Sequence, residues 1–309
     1  MFRLKRWTLA TIIPCGTFNI LNLPTCNCSD FPETGQTPVC LNMTEYLTPL
    51  TNTELGEIFD QRAQGIIQYF IKKNQFAEPE AVETHNEVSF RVPKEHTEQW
   101  LVQALGMSPQ GAGSYPVDAI SRDGLTACDV SCLTAKFSVS GQLTSSTSGE
   151  KSLGQKFGDV NFGGSDQTLD SLFAMGESKT IASAFNTIFF EKYKKVLTDF
   201  SDVKNIYMFF IIFSRNVIYI CGVKVNHSEK LDDIVLRSSS NSVWVGNYID
   251  EEFGEVKVYK AKKRLEIRLR PKTWVDRNYT LRFEIPDVKK VVNLRGLSDE
   301  EFDKLKDSF

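Results

Sequence analysis

A twenty-residue stretch, Ile206–Val225, sets the tightest limit on what this chain can fold into. It is mostly apolar, with β-branched and aromatic flanks, but Ser214-Arg215-Asn216 interrupts its centre. A membrane span would have to carry Arg215 deep in lipid, where a charged side chain is costly. Two buried strands joined by a turn use the same residues without that cost. The remaining segments supply partners for such strands. Thr51–Lys73 reads as a helix, with Thr51 and Glu54 as a capping box and Leu55, Phe59, Ala63, Ile66, Ile67 and Phe70 at helical spacing. Glu87–Val92 reads as a strand and Lys94–Leu105 as a helix with Trp100, Leu101 and Leu105 inward. Tyr115–Ile120 and Thr126–Leu133 read as short strands, and Ser140–Gly149, rich in Ser and Thr, as a loop. Thr168–Leu197 is a long helical stretch, Ser242–Phe283 is β-rich, and Leu297–Ser308 is a short charged helix. This order predicts an α/β fold, a mixed central sheet flanked by helices, with a β-rich C-terminal portion.

A chain of 309 residues can build its core without disulfides. Its seven cysteines point the same way. Cys15, Cys26, Cys28 and Cys40 fit no common zinc spacing, and Cys128, Cys132 and Cys221 fall in expected strands, where free cysteine is the simplest reading. Periodic patterning begins near Met43. Residues 1–42 are therefore expected to be an N-terminal appendage, 43–228 the α/β core and 229–309 the β-rich C-terminal portion. Met1–Pro14 imitates a signal peptide, and sequons stand at Asn27, Asn42, Asn226 and Asn278. A secreted, glycosylated binding protein is thus an alternative to the main expectation, a cytoplasmic protein with no membrane partner.

The segment with the most chemistry is Tyr115-Pro116-Val117-Asp118-Ala119-Ile120 followed by Ala127-Cys128-Asp129-Val130-Ser131. Asp123-Gly124 is a favoured pair for a two-residue hairpin loop. A hairpin centred there pairs residues whose numbers sum to 247, which sets Asp118 opposite Asp129. Their Cβ atoms would lie roughly 5 Å apart, with Ser131 on the same face. Val117, Ala119, Cys128 and Val130 would point the other way. Opposed like charges destabilise a hairpin, and a divalent cation is the simplest reason for keeping them. Mg²⁺ takes hard oxygen ligands, often one or two carboxylates with phosphate and water.

Pro116-Val117-Asp118, a short gap and Asp129-Val130-Ser131 resemble the signature of the PD-(D/E)xK nuclease superfamily, which includes many type II restriction endonucleases. The resemblance extends over about residues 44–226. It implies a restriction-endonuclease-like core in which Asp118 and Asp129 bind Mg²⁺ and a lysine positions or activates the attacking water. Ser131 stands where that lysine belongs. Lys136 is the nearest replacement, though its alternation requires a bulge, and Lys151 and Lys156 lie on the following loop. Glu57, on the first helix, resembles the acid that often completes the metal site. The implied activity is Mg²⁺-dependent endonucleolytic hydrolysis of double-stranded DNA, commonly by a homodimer. Loss of the lysine leaves a non-catalytic DNA-binding protein on the same fold as the alternative.

DNA requires a local basic surface, because the whole chain carries a net charge of −3. Residues 255–272 hold eight Lys/Arg against two Glu. A turn at Lys260–Lys263 pairs Val256 with Ile267 and Val258 with Leu265 on an apolar side, and Glu255 with Arg268 and Lys257 with Glu266 on the other. Lys260, Lys262, Lys263, Arg270 and Lys272 are left without partners within this ribbon and are the expected DNA contacts.

Overall fold

The computed structural model describes residues 45–75, 92–110, 115–140, 142–147, 149–155, 167–214, 217–285 and 294–307. The appendage expected at 1–42, the strand expected at Glu87–Val92 except its last residue, and Lys156 lie outside them. Among the described residues the chain is mixed α/β, with thirteen strands and seven helices.

The apolar run resolves into β7 (Asn205–Phe213) and β8 (Val217–Val225), paired antiparallel at the centre of a curled mixed sheet. β4 (Thr126–Phe137) lies parallel to β7, while β3 (Ala119–Ile120) and β2 (Ser108–Pro109) continue that edge antiparallel. β1 (Leu47–Pro49) and β13 (Leu281–Glu284) both add to β8, and β5 (Leu143–Thr147) pairs with the far half of β4. A second, antiparallel sheet runs β6-β12-β11-β10-β9, formed by Lys151–Gln155, Arg264–Leu269, Gly254–Tyr259, Ser242–Val245 and Val235–Ser238.

Burial explains the layering. One face of the large sheet, with Ala119, Cys128, Val130, Phe209, Ile211 and Ile220, packs with Leu55, Phe59, Ile67 and Trp100. These come from α1 (Asn52–Ile58), α2 (Gln61–Gln75) and α3 (Lys94–Ala104). The other face joins the inner face of the small sheet in one core, with α5 (Ser178–Asp199) contributing Ile181, Phe185, Phe189, Tyr193 and Val196. A helix buried on more than one side is a middle layer. α4 (Leu169–Met175) precedes it, ended by Gly176 at φ 72°, a left-handed cap that suits glycine. The single helix expected over 51–73 is two. The capping box forms as expected, but the Asp60 carboxylate accepts the Ala63 N–H and starts α2 anew. Part of the expected 140–149 loop is β5. α6 (Pro271–Asp276) interrupts the β-rich tail, and α7 (Asp299–Asp307) is the charged helix.

Met43–Phe309 forms one compact unit, so the division expected at residue 228 is not a structural boundary. Strands cross it both ways: β6 pairs with β12, and β13 pairs with β8. Cys128 and Cys221 are buried thiols outside any disulfide, and the Cys132 thiol shares a hydrogen bond with the Thr97 hydroxyl. No helix among the described residues is long and apolar enough to cross a membrane.

Candidate active site

The hairpin keeps the expected register where it is regular: Ala119 faces Cys128 and Ile120 faces Ala127. Its loop is longer than two residues. Gly124 N–H bonds Ser121 O at 2.9 Å, Ser121 N–H bonds Thr126 O at 2.8 Å, and the Asp123 carboxylate ties Ser121 Oγ to Leu125 N–H. Gly124 has φ +73°, which the Asp-Gly pair accommodates.

The ladder departs from regularity at Asp118. Its N–H bonds Cys128 O at 2.8 Å although Ala119 is the residue opposite Cys128, so two successive residues address one. Val117 consequently joins the α5-side core rather than the opposite face expected for it. Pro116, which has no N–H to donate, stands just before this departure. Where β3 leaves the edge of β4, the Asp118 carboxylate replaces it: Oδ2 accepts the Val130 N–H at 2.6 Å.

Asp129 sits on β4 and is 5% exposed. Both its oxygens are engaged by ammonium groups, Lys151 Nζ on Oδ1 at 2.7 Å and Lys192 Nζ on Oδ2 at 3.4 Å. Lys151 opens β6, and Lys192 comes from α5. Burial and the Asp129 charge, with Glu98 on α3 adding to them, raise the Asp118 carboxyl to about 6, against the pull of the Val130 N–H and Lys151. Burial acts on Asp129 too, but Lys151 and Lys192 outweigh it and hold its carboxyl below the usual range. The two carboxyls are close enough to share a hydrogen bond when Asp118 is protonated. Environments that push a pair of carboxyls apart mark sites of chemistry as well as structural ion pairs.

The placement of Lys151 has a traceable cause. β4, β5 and β6 carry the chain from the large sheet into the small one, where β6 is the edge strand beside β12. Neighbouring residues in extended chain point opposite ways. Glu150 reaches Arg268, Lys262 at 3.2 Å and Lys257 at 3.9 Å, while Lys151 turns to Asp129.

Lys136 is not at this place. It is exposed, seven residues along β4 from Asp129 and on the other alternation, about 23 Å away at the rise of a strand. The lysine at Asp129 is Lys151, and Lys192 joins it. Glu57 is exposed on α1, and the helix carboxylate acting on Asp118 is Glu98. Nothing in the spacing of α3 marks Glu98, whose role arises from α3 packing beside β4. Lys192 likewise carries no signal in a helix with many lysines.

Two carboxylates with hard oxygens suit Mg²⁺. Ser131 Oγ, on the Asp129 face of β4, is a buried oxygen without a hydrogen-bond partner, as is the Tyr193 hydroxyl, whose position feels the charges of Asp129, Lys151 and Asp118. The donor set therefore fits a small hard cation at Asp118 and Asp129. It does not extend to a third carboxylate ligand: among the described residues no group of three or more His, Cys, Asp or Glu is arranged to hold a metal.

The basic ribbon has the expected register at every pair, from Glu255 opposite Arg268 to Val258 opposite Leu265. Its charges are partnered differently. Lys262 bridges Glu150 and Glu266, Arg264 pairs with Glu266, Lys260 and Lys263 reach Asp170 at 3.8 and 3.9 Å, and Lys272 pairs with Asp276. Glu255 pairs with Arg237 rather than Arg268. Arg270 stands at the corner between β12 and α6 and lines a surface cavity of roughly 550 Å³ with Arg237 and Trp244, distinct from the carboxylate pair. Four of the five expected DNA contacts thus have carboxylate partners. Compared with family models, curated proteins and solved structures, the chain gives no match.

Proposed function

We propose that this chain is a Mg²⁺-dependent endonuclease that hydrolyses phosphodiester bonds in double-stranded DNA, on a restriction-endonuclease-like core. The observation that carries this reading is the convergence of Asp118, Asp129 and Lys151 at the place where β3 leaves β4. A bound Mg²⁺ would supply an activated water and stabilise the negative charge that develops on the phosphoryl and leaving-group oxygens. Asp118 and Asp129 would hold that ion. Lys151 provides the positive charge that Ser131 lacks, reaching the acid from the neighbouring sheet instead of from two residues along the strand. Glu98 reinforces the negative potential at Asp118. Val130 N–H fixes one Asp118 oxygen and leaves the other free to act as a ligand.

Unmethylated DNA incubated with the protein and Mg²⁺, with EDTA as the control, tests the activity. Asp118→Ala and Asp129→Ala are expected to abolish cutting with DNA binding retained. Lys151→Met is expected to cut at least about a hundredfold more slowly, within the range seen when one electrostatic contributor is removed. Lys136→Ala should cut normally. Full Mg²⁺-dependent cleavage by the Asp129→Ala protein would falsify the site. Retained binding without any cutting by the unaltered protein would instead favour the non-catalytic reading. A homodimer on a palindromic sequence is the expected assembly.

A further inference from the structure

Two lysines hold Asp129, and they hold it differently. Lys151 Nζ lies 2.7 Å from Oδ1, on a strand pinned by the contacts of Glu150. Lys192 Nζ lies farther, 3.4 Å from Oδ2. In that same position the ammonium stands 5.0 Å from the centre of the Tyr193 ring, so it has a second partner that does not depend on Asp129. An aromatic face attracts an ammonium group, more strongly where water is excluded, and Tyr193 is buried. The four-carbon stem of lysine allows the head group to move with no change in α5. A carboxylate this deeply buried stays ionised only with positive charge beside it.

We propose that Lys192 is a stand-in cation. It neutralises Asp129 while the divalent ion is absent, and it gives up Oδ2 while keeping the Tyr193 face when the ion binds. Metal uptake is then an exchange of one positive charge for another rather than a simple addition. Lys192 acts through Asp129, so it is a positioning residue. Lys151 stays at Oδ1 throughout and remains available to the substrate. This inference rests on the ion-binding reading of Asp118 and Asp129.

The test needs no DNA and no turnover. Mg²⁺ alone is titrated calorimetrically into the full chain and into Lys192→Met, with melting curves for both to establish that they fold. Removing the competing charge should tighten Mg²⁺ binding by about tenfold or more, given the strength of charge interactions over a few ångströms. Lys192→Arg keeps the charge and should bind no tighter than the unaltered protein. Lys192→Gln serves if the methionine variant does not fold. If the unaltered protein binds Mg²⁺ and the neutral variants bind it equally or more weakly, the exchange is wrong and the metal site stands. If none of the proteins binds Mg²⁺, the metal site itself is wrong, and the exchange goes with it.

Discussion

Replacing Lys151 with methionine should cost more stability than removing the charge of the carboxylate it contacts. At an effective dielectric constant near 20, unit charges 2.7 Å apart attract by about 6 kcal/mol, most of which desolvation offsets. Breaking a buried pair from one side typically costs about 3–5 kcal/mol, because the remaining charge is stranded. Here Lys192 remains 3.4 Å from Asp129, so about half of that, roughly 2 kcal/mol, is expected for Lys151→Met. Asp129→Asn is different. It leaves two lysines whose side chains are 16% and 20% exposed and can swing toward water, and it removes the repulsion on Asp118. Its cost should be under about 1 kcal/mol, the scale of one ordinary hydrogen bond. The double variant should then resemble Asp129→Asn alone, because the lysine has nothing left to neutralise. Urea unfolding of the four proteins at pH 7.5 measures all three differences. A larger loss for Asp129→Asn than for Lys151→Met, or strictly additive losses, would refute the view that Asp129 is a buried charge dependent on its lysines.

Further expectations concern pH, packing and salt. Asp118 titrates near 6 in the folded chain against a usual value of 3.8, so the native state binds the extra proton; stability should fall as pH rises from about 4 to 6, by at most about 3 kcal/mol. Mg²⁺ affinity should move the opposite way, rising through about pH 6 as that proton leaves, and a flat profile between pH 5 and 7 would count against Asp118 as a ligand. Gly222→Ala would put a Cβ 2.7 Å from Phe209 Cδ1 and 3.2 Å from Leu50 Cδ1, and should destabilise by about 2 kcal/mol in thermal or urea melts. Replacing Lys260, Lys262 and Lys263 together with alanine should lower the salt slope of DNA binding by less than about one unit, because their charges are spent on Asp170, Glu150 and Glu266. A fall of about 2–3 units would show that these cations exchange carboxylates for phosphates.

What could be read from the sequence divides along a physical line. β7 and β8 and the ribbon register follow from local periodicity and turn chemistry and stand at the expected residues, while the hairpin register holds at Ala119–Cys128 and Ile120–Ala127 and breaks at Asp118, where the expected direct opposition to Asp129 is replaced by a bulge. Asp118 and Asp129 were legible because both flank one turn. Lys151 was not, because its strand is fixed by β12, more than a hundred residues away, and because its short run of five residues has no strong alternation. Glu98 and Lys192 arrive by tertiary packing from helices on opposite faces of the sheet. The ribbon misled for the same reason: its pairing is local, but Glu150 and Asp170, which neutralise it, come from outside it.

The strand that delivers Lys151 has a consequence for the order in which the chain acquires activity. β6 is an edge strand, and among the described residues its partners within that sheet are residues 264–267. A nascent chain can emerge from the ribosome through Asp118, Asp129 and Lys192 and still lack the surface that seats Lys151. On the proposed function, the full set of Asp118, Asp129 and Lys151 would be in place only once residues 264–267 have joined β6.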